Sequence, residues 1–106
     1  MREVKFYLGV GKDRDGNTLS PEFVRTRLSR VRQRLAMEFG GYTEYSHMGG
    51  WVEDRATGYV VTEVGVTFVV VTDSIGLVRD TAAAIRDEFD QSAVLVTMTK
   101  VESEFV

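Results

Sequence analysis

The sequence has 106 residues, a typical length for one domain, and 43% of them are apolar, so we expect a single domain with one packed core over residues 1–106. A formal net charge of -3 gives the whole molecule no attraction for a polyanion. Cysteine is absent and histidine occurs once, which excludes disulfides, thiolate nucleophiles and multi-histidine metal sites within one subunit.

The first half of the chain predicts a strand, a helix and a second strand. Alternating apolar residues over Val4–Val10 are typical of a half-buried strand. Ser20 and Pro21 predict the start of a helix, because serine caps free N–H groups and proline fits the first turn. Apolar residues then recur at spacings of four, three and four until Gly40–Gly41, where we expect the helix to end. A second strand is predicted over Tyr42–Met48.

The second half predicts a hairpin connection, a long strand, a helix and a last strand. We expect the connection over residues 49–58 and the long strand over Tyr59–Thr72. The end of that strand is apolar on both faces, which is typical of a strand buried on both faces. A helix is predicted over Ser74–Phe89 and the last strand over Ala93–Val101.

The resulting order, β-α-β-β-α-β, predicts an α+β fold: a ferredoxin-like sandwich with a four-stranded antiparallel sheet and two helices on one face. The first and third strands are then central, and the second face of the sheet is left open. We expect a second copy of the chain to cover that face in a dimer. The predicted interface residues are Tyr7, Thr67, Val69 and Val71.

Two features of the sequence bear on location. No apolar run approaches the ~20 residues that span a bilayer. The first six residues are typical of a strand and not of a signal peptide. We therefore expect a cytoplasmic protein that makes no membrane contact.

Several short motifs spread along the chain resemble one family. They are Leu8–Gly9, Leu19–Phe23, Gly50–Trp51, Thr62–Glu63, Phe89–Leu95 and Phe105. Together they are similar to the pattern of the domain-of-unknown-function family 3574. The resemblance implies the same ferredoxin-like fold over nearly the whole chain and no established activity. The chain departs from the pattern in having Gly50 directly before Trp51 and an unusually arginine-rich first helix, and many members of that family are exported.

The first helix carries five arginines within ten residues, and three of them, Arg27, Arg30 and Arg34, share one flank. One interpretation is a ligand-binding surface for a nucleotide, a nucleic acid or an acidic protein. The other, which we favour, is a solvated helix face whose long side chains cover the edge of the core.

Polar and aromatic residues around the hairpin form a second group of candidates. Tyr45, His47 and Trp51 could stack on a base or a sugar, although a hairpin folded back as a lid is the favoured interpretation of Trp51. Glu63 lies mid-strand on an otherwise apolar face, where a charge is costly unless it is paired. Arg55, or an arginine of another subunit, could pair with it. Glu63 is therefore a candidate functional carboxylate or, in the interpretation we favour, part of an interface salt bridge.

Three functions fit these features. The first is a non-enzymatic dimeric module with a small-ligand cavity between two sheets. The second is a phage-type protein that acts against host defence and binds a nucleotide, a nucleic acid or a host protein through the arginine helix and the Tyr/Trp hairpin. The third is a cofactor-free enzyme on the open sheet face that uses His47, Glu63 and tyrosines. The first is favoured, and the sequence assigns no catalytic residue, metal or cofactor.

Overall fold

Four strands and two helices alternate in the predicted order in a computed structural model that describes residues 1–106. The elements are β1 (Arg2–Gly9), α1 (Pro21–Phe39), β2 (Thr43–Asp54), β3 (Tyr59–Thr72), α2 (Ile75–Glu88) and β4 (Leu95–Lys100). The protein is thus a small α+β module with the ferredoxin-like arrangement. Neither helix combines the length and the apolar composition that crossing a bilayer requires.

The sheet has the strand order β2-β3-β1-β4, and every neighbouring pair is antiparallel. This confirms that β1 and β3 are central. Phe6 of β1 pairs with Phe68 of β3 and with Val96 of β4, which aligns apolar side chains on one face across three strands. Successive residues of a strand point to opposite faces, so that register also fixes what the open face carries.

The hydrophobic core lies between this face of the sheet and the two helices. Its members are Val4, Phe6, Leu8, Leu28, Val31, Leu35, Val66, Phe68, Val70, Val78, Ile85 and Phe89. The helix stripe predicted from the four-three-four spacing supplies three of them, and Val24, its first residue, packs against the cluster. The open face carries the residues that alternate with the core residues, and these include apolar side chains such as Val69 and Val71 beside polar ones such as Lys5 and Thr67.

The two helices begin differently. The Ser20 hydroxyl accepts a hydrogen bond from the Phe23 N–H at 3.1 Å, as the sequence predicts. Ser74 precedes α2 but its side chain makes no capping hydrogen bond. At its other end α1 stops at Gly40, whose φ of 80° is the left-handed conformation that glycine adopts without strain.

The β2–β3 hairpin is longer than the sequence predicts. Residues 49–54, expected in the connection, continue β2, and only residues 55–58 form the turn. The prediction of a connection over residues 49–58 was therefore wrong for residues 49–54. The start of β3 offers free N–H and C=O groups, and hydrogen bonding with them outweighs the low strand preference of Gly49 and Gly50. The helices do not reach this part of the hairpin, since Val60 and Val64 point to their side and are each 53% exposed.

A salt bridge links α1 to the edge strand β2. Arg32 donates two hydrogen bonds to Glu44 of β2, at 2.7 and 2.9 Å. This fork-to-fork geometry is the strongest form of a surface ion pair. The hydrogen bonds from Arg32 lower the pKa of the Glu44 carboxyl below its ordinary value.

That lowered pKa predicts a pH-dependent contribution to stability. The native state favours the ionised carboxylate, so the contribution is full above the ordinary carboxyl pKa and is lost as pH falls through the lower native pKa. We expect Glu44→Gln to reduce the free energy of unfolding by about 0.5–1 kcal/mol near neutral pH and to have less effect as pH falls from about 5 to about 2. Urea unfolding at several pH values measures the loss of stability and its pH dependence, with the exposed Glu104→Gln as control. A constant difference across that range would contradict this role of the pair.

Candidate ligand site on the open sheet face

Two glycines face each other on the central strands, so no side chain rises from either position and polar groups of the open face lie over both; we call this area the depression. Gly9 of β1 pairs with Gly65 of β3. A Cβ atom on Gly65 would lie 2.6 Å from the Leu8 carbonyl oxygen and would overlap the His47 ring. On Gly9 it would lie 2.7 Å from the Glu63 carboxyl carbon and 3.1 Å from Gln91 Oε1. Only glycine leaves these polar groups room to lie directly on the backbone.

His47 forms one wall of the depression. It sits on β2 opposite Gly65, and its ring lies over that glycine. Nδ1 is 2.6 Å from the Thr67 hydroxyl, and the ring meets Tyr7 edge-on with centroids 5.8 Å apart. No protein group within hydrogen-bond distance pairs with Nε2. The ring is thus held at one nitrogen and free at the other.

Glu63 forms the facing wall, above Gly9. It is half-buried, and its carboxylate makes neither a salt bridge nor a hydrogen bond within the chain. The candidate partner within the chain, Arg55, is in the exposed hairpin turn and forms no ion pair. Because a half-buried carboxylate without a partner is costly, this site favours a positively charged or hydrogen-bond-donating ligand.

Gln91 closes the end of the depression, and sequence reasoning missed its place there. Its side-chain amide donates to the carbonyl oxygens of Lys12 and Phe89, at 2.6 and 3.0 Å. These two hydrogen bonds satisfy backbone groups where α2 gives way to β4. Its Oε1 atom remains free and lies beside Gly9. No sequence pattern could have revealed this second role, because Gln91 lies in a loop and is distant from Gly9 in sequence.

The predicted aromatic group is only partly assembled. Tyr45 and Trp51 lie on the open face with His47, because all three alternate along the same side of β2. Trp51 is 52% exposed and makes no aromatic contact within the chain. These two side chains therefore flank the depression as an exposed rim, and no folded-back lid forms within one protomer.

The predicted interface residues differ in accessibility. Tyr7 and Val69 are half-buried on the open face, and Val71 is 38% exposed, so all three can meet a partner. Thr67 points to the same face but is completely buried. His47 covers it, which leaves Thr67 a role inside the protomer and none in contact with another chain.

The arginines of α1 lie in the helix layer, away from this depression. Arg27 and Arg30 both donate to Glu88 of α2, at 3.1 and 3.2 Å. Arg34 pairs with Glu38 at 3.0 Å. The two parts of the predicted ligand surface, the arginines and the hairpin aromatics, therefore lie on opposite sides of the sheet, and binding through both together stays a prediction.

A small acidic cluster lies in the loops beyond β1 and α2. Carboxylate oxygens of Asp13, Asp15 and Asp90 lie within 4.8 Å of one another. Asp13 accepts hydrogen bonds from the backbone of its own loop, which lower its pKa, and Asp90 pairs with Arg14. Two of the three carboxylates are thus used to order the loops, and we assign no metal site to them.

Comparison with known proteins supports the fold. No protein-family model and no curated protein matches the chain, so membership of family 3574 stays a prediction. Among solved structures, a phage SAM lyase in complex with S-methyl-5′-thioadenosine has a TM-score of 0.65 at 21% identity, covering 93% of this chain and 80% of that chain. CutA1 of Pyrococcus horikoshii has a TM-score of 0.62 at 11% identity, covering 99% and 87%. At these identities the similarity shows a shared fold.

A third solved structure extends the same comparison. The divalent cation tolerance protein Cut A1 of Thermus thermophilus has a TM-score of 0.61 at 14% identity, and covers 99% of this chain and 88% of that chain. The three structures therefore match the chain over nearly its whole length. At these identities they carry no residue roles across.

The close contacts at Gly65 predict that adding a methyl group there destabilises the protein more than adding one at Gly49. We expect Gly65→Ala to lower the free energy of unfolding by about 1–3 kcal/mol, because the new Cβ would meet a backbone carbonyl that cannot easily move. Gly49→Ala on β2 is the matched control, since its Cβ would meet nothing within 4 Å. Urea unfolding compares the two. Equal stability of both variants would contradict the close approach at Gly65.

Proposed function

We propose that the protein binds S-adenosylmethionine in the depression of its open sheet face and cleaves it to S-methyl-5′-thioadenosine. The observation that carries the proposal is Glu63, a half-buried carboxylate without a partner in the chain, placed over Gly9 and beside His47 on the paired Gly65. The fold shared with the phage SAM lyase supports the choice of ligand.

The depression suits the chemical groups of this ligand. S-adenosylmethionine carries an ammonium and a sulfonium cation, and Glu63 offers the matching negative charge. Tyr45 and Trp51 on the rim expose aromatic faces on which adenine can stack. The arginines of α1, which would suit a phosphate, are paired with acidic residues on the other side of the sheet. A ligand that is cationic and carries no phosphate therefore fits better than a nucleotide.

The proposed step needs no co-reactant. One oxygen of the ligand's own carboxylate attacks the γ-carbon of its methionine part. The bond between that carbon and sulfur breaks, and its electron pair goes to sulfur. The products are a five-membered lactone that keeps the ammonium group and the neutral thioether S-methyl-5′-thioadenosine. Charge and atoms balance without a proton transfer. The site therefore needs to bind the substrate and orient its carboxylate, and it needs no general acid or base.

Glu63 is assigned to the ammonium group of the ligand. An anion beside the sulfonium would stabilise the ground state more than the transition state, in which sulfur is losing its positive charge. The ammonium keeps its charge throughout the reaction. Glu63 therefore binds it equally well in the ground state and in the transition state and does not raise the barrier. Held there, the neighbouring carboxylate lies close to the γ-carbon, which is the positional advantage the step requires.

The proposal includes a homo-oligomer. Apolar side chains are exposed on both faces of the outer hairpin, Val60 and Val64 on one and Trp51 on the other. Leu95 at the far edge of the open face is 63% exposed as well. Hairpin and open face are thus two apolar surfaces of one chain, and association of copies removes both from water.

Charge removal at Glu63 tests the lyase. We expect Glu63→Gln to lower kcat/KM for S-adenosylmethionine by about 10–100-fold, the usual loss for a charge-assisted hydrogen bond. Affinity for S-methyl-5′-thioadenosine, which lacks the ammonium, should not change. Chromatography of the released thioether and calorimetric titration measure the two, with the exposed hairpin variant Glu53→Gln as control.

Each outcome of that test decides something. A wild-type protein that binds the thioether but releases none from S-adenosylmethionine is a non-enzymatic ligand module, and the lyase is then excluded. A wild-type protein that binds neither compound contradicts the whole proposal. Equal losses for both compounds in Glu63→Gln would show that Glu63 shapes the pocket and does not bind the ammonium.

The oligomer has a test of its own. We expect light scattering to give a mass of at least twice the 11.9 kDa protomer. Val60→Glu should shift the protein to monomer, because it places a charge in the proposed contact. Met37→Glu, on the outer side of α1 where the side chain is 80% exposed, should leave the mass unchanged. A wild-type monomer at micromolar concentration would exclude the association.

A further inference from the structure

We propose that Thr67 holds His47 as a neutral imidazole that donates a hydrogen bond to the ligand through Nε2. Thr67 is then a positioning residue and His47 a binding residue that selects the amino-acid end of the substrate. The identity of that ligand rests on the proposed function, whereas the state of the imidazole does not.

The direction of the hydrogen bond between the two side chains follows from burial. Thr67 is 0% exposed, and its hydroxyl has one partner, His47 Nδ1, at 2.6 Å. If Nδ1 carried a proton and donated it, the hydroxyl hydrogen would be buried with no acceptor, which is unfavourable. The hydroxyl therefore donates, and Nδ1 accepts.

An imidazole that accepts at Nδ1 carries its proton on Nε2 when it is neutral. The Nε2 edge of the ring lies over Gly65, where no protein group meets it. In this tautomer the N–H donor of Nε2 has no hydrogen-bond partner within the chain. The edge-on contact with Tyr7 fixes the plane of the ring, so the donor has a defined direction.

This donor lies beside the free carboxylate. His47 covers Gly65 and Glu63 covers Gly9, and these two glycines are directly paired, which places their Cα atoms about 5 Å apart. A donor and an anion side by side match the carboxylate and the ammonium of an α-amino acid. His47 would hold one carboxylate oxygen and leave the other free to attack the γ-carbon. The pair therefore selects ligands with an intact amino-acid end.

Nuclear magnetic resonance of the ligand-free protein tests the state of the imidazole. His47 is the single histidine, so its long-range ¹H–¹⁵N correlations are unambiguous. We expect a protonated Nε2 and an unprotonated Nδ1 in the wild type and in Thr67→Ser, which keeps the hydroxyl. Thr67→Val should shift the population towards the other tautomer. A wild-type ring protonated at Nδ1 would overturn the inference, even if Thr67→Val failed to fold.

Two substitutions of His47 test its role towards the ligand. The amide of Gln can place an N–H near the position of Nε2 but cannot act as a base. We expect His47→Gln to keep kcat/KM at least about 10-fold above that of His47→Ala. Equal loss in both variants would overturn the donor role in favour of proton transfer. If the wild type cleaves no S-adenosylmethionine, the proposed function fails, and the resonance experiment still decides the tautomer.

Discussion

The pairing of Gly9 with Gly65 is the constraint on which the open face depends. Because these two paired positions carry no side chains, the side chains of His47 and Glu63 pack directly against the backbone of the central strands. Any Cβ at these positions would lift both groups away. The depression and its polar walls are therefore consequences of one pair of residues, and the helices on the far face contribute only the rigid platform beneath.

The helix layer uses its charges in a different way. Glu88 receives two arginines of α1, and Glu38 accepts both Arg34 and the buried Thr81 hydroxyl, at 2.7 Å. The contacts of Glu88 and Thr81 span the seam between the two helices, whereas Arg34–Glu38 lies within α1. A dense run of arginines is thus satisfied by four acidic residues, two of which, Glu22 and Glu38, lie within α1 itself. What the sequence presents as a free basic surface is structural cross-linking, in line with the favoured interpretation of that helix.

Most of the fold could be predicted from the sequence because local signals agreed with one another. The cap at Ser20, the stripe ending at Leu35 and the left-handed Gly40 specify α1 almost to the residue. The extent of β2 could not be predicted, since the pairing of residues 49–54 depends on a partner strand and not on their own preferences. For the site, alternation correctly placed Glu63 and His47 on the open face. The contributions of Gly65, Gln91 and the buried Thr67 depend on register and on side-chain packing, which no sequence pattern records.

The outer half of the β2–β3 hairpin has a consequence for how the protein behaves in dilute solution. A two-stranded ribbon without a covering layer is marginally stable by itself. Trp51, on the rim of the depression, belongs to this ribbon. In the proposed oligomer its ordering is coupled by mass action to the association of chains, so the state of the rim would depend on protein concentration. Ligand affinity measured at nanomolar protein would then be weaker than affinity measured at micromolar protein, without any change in the depression itself.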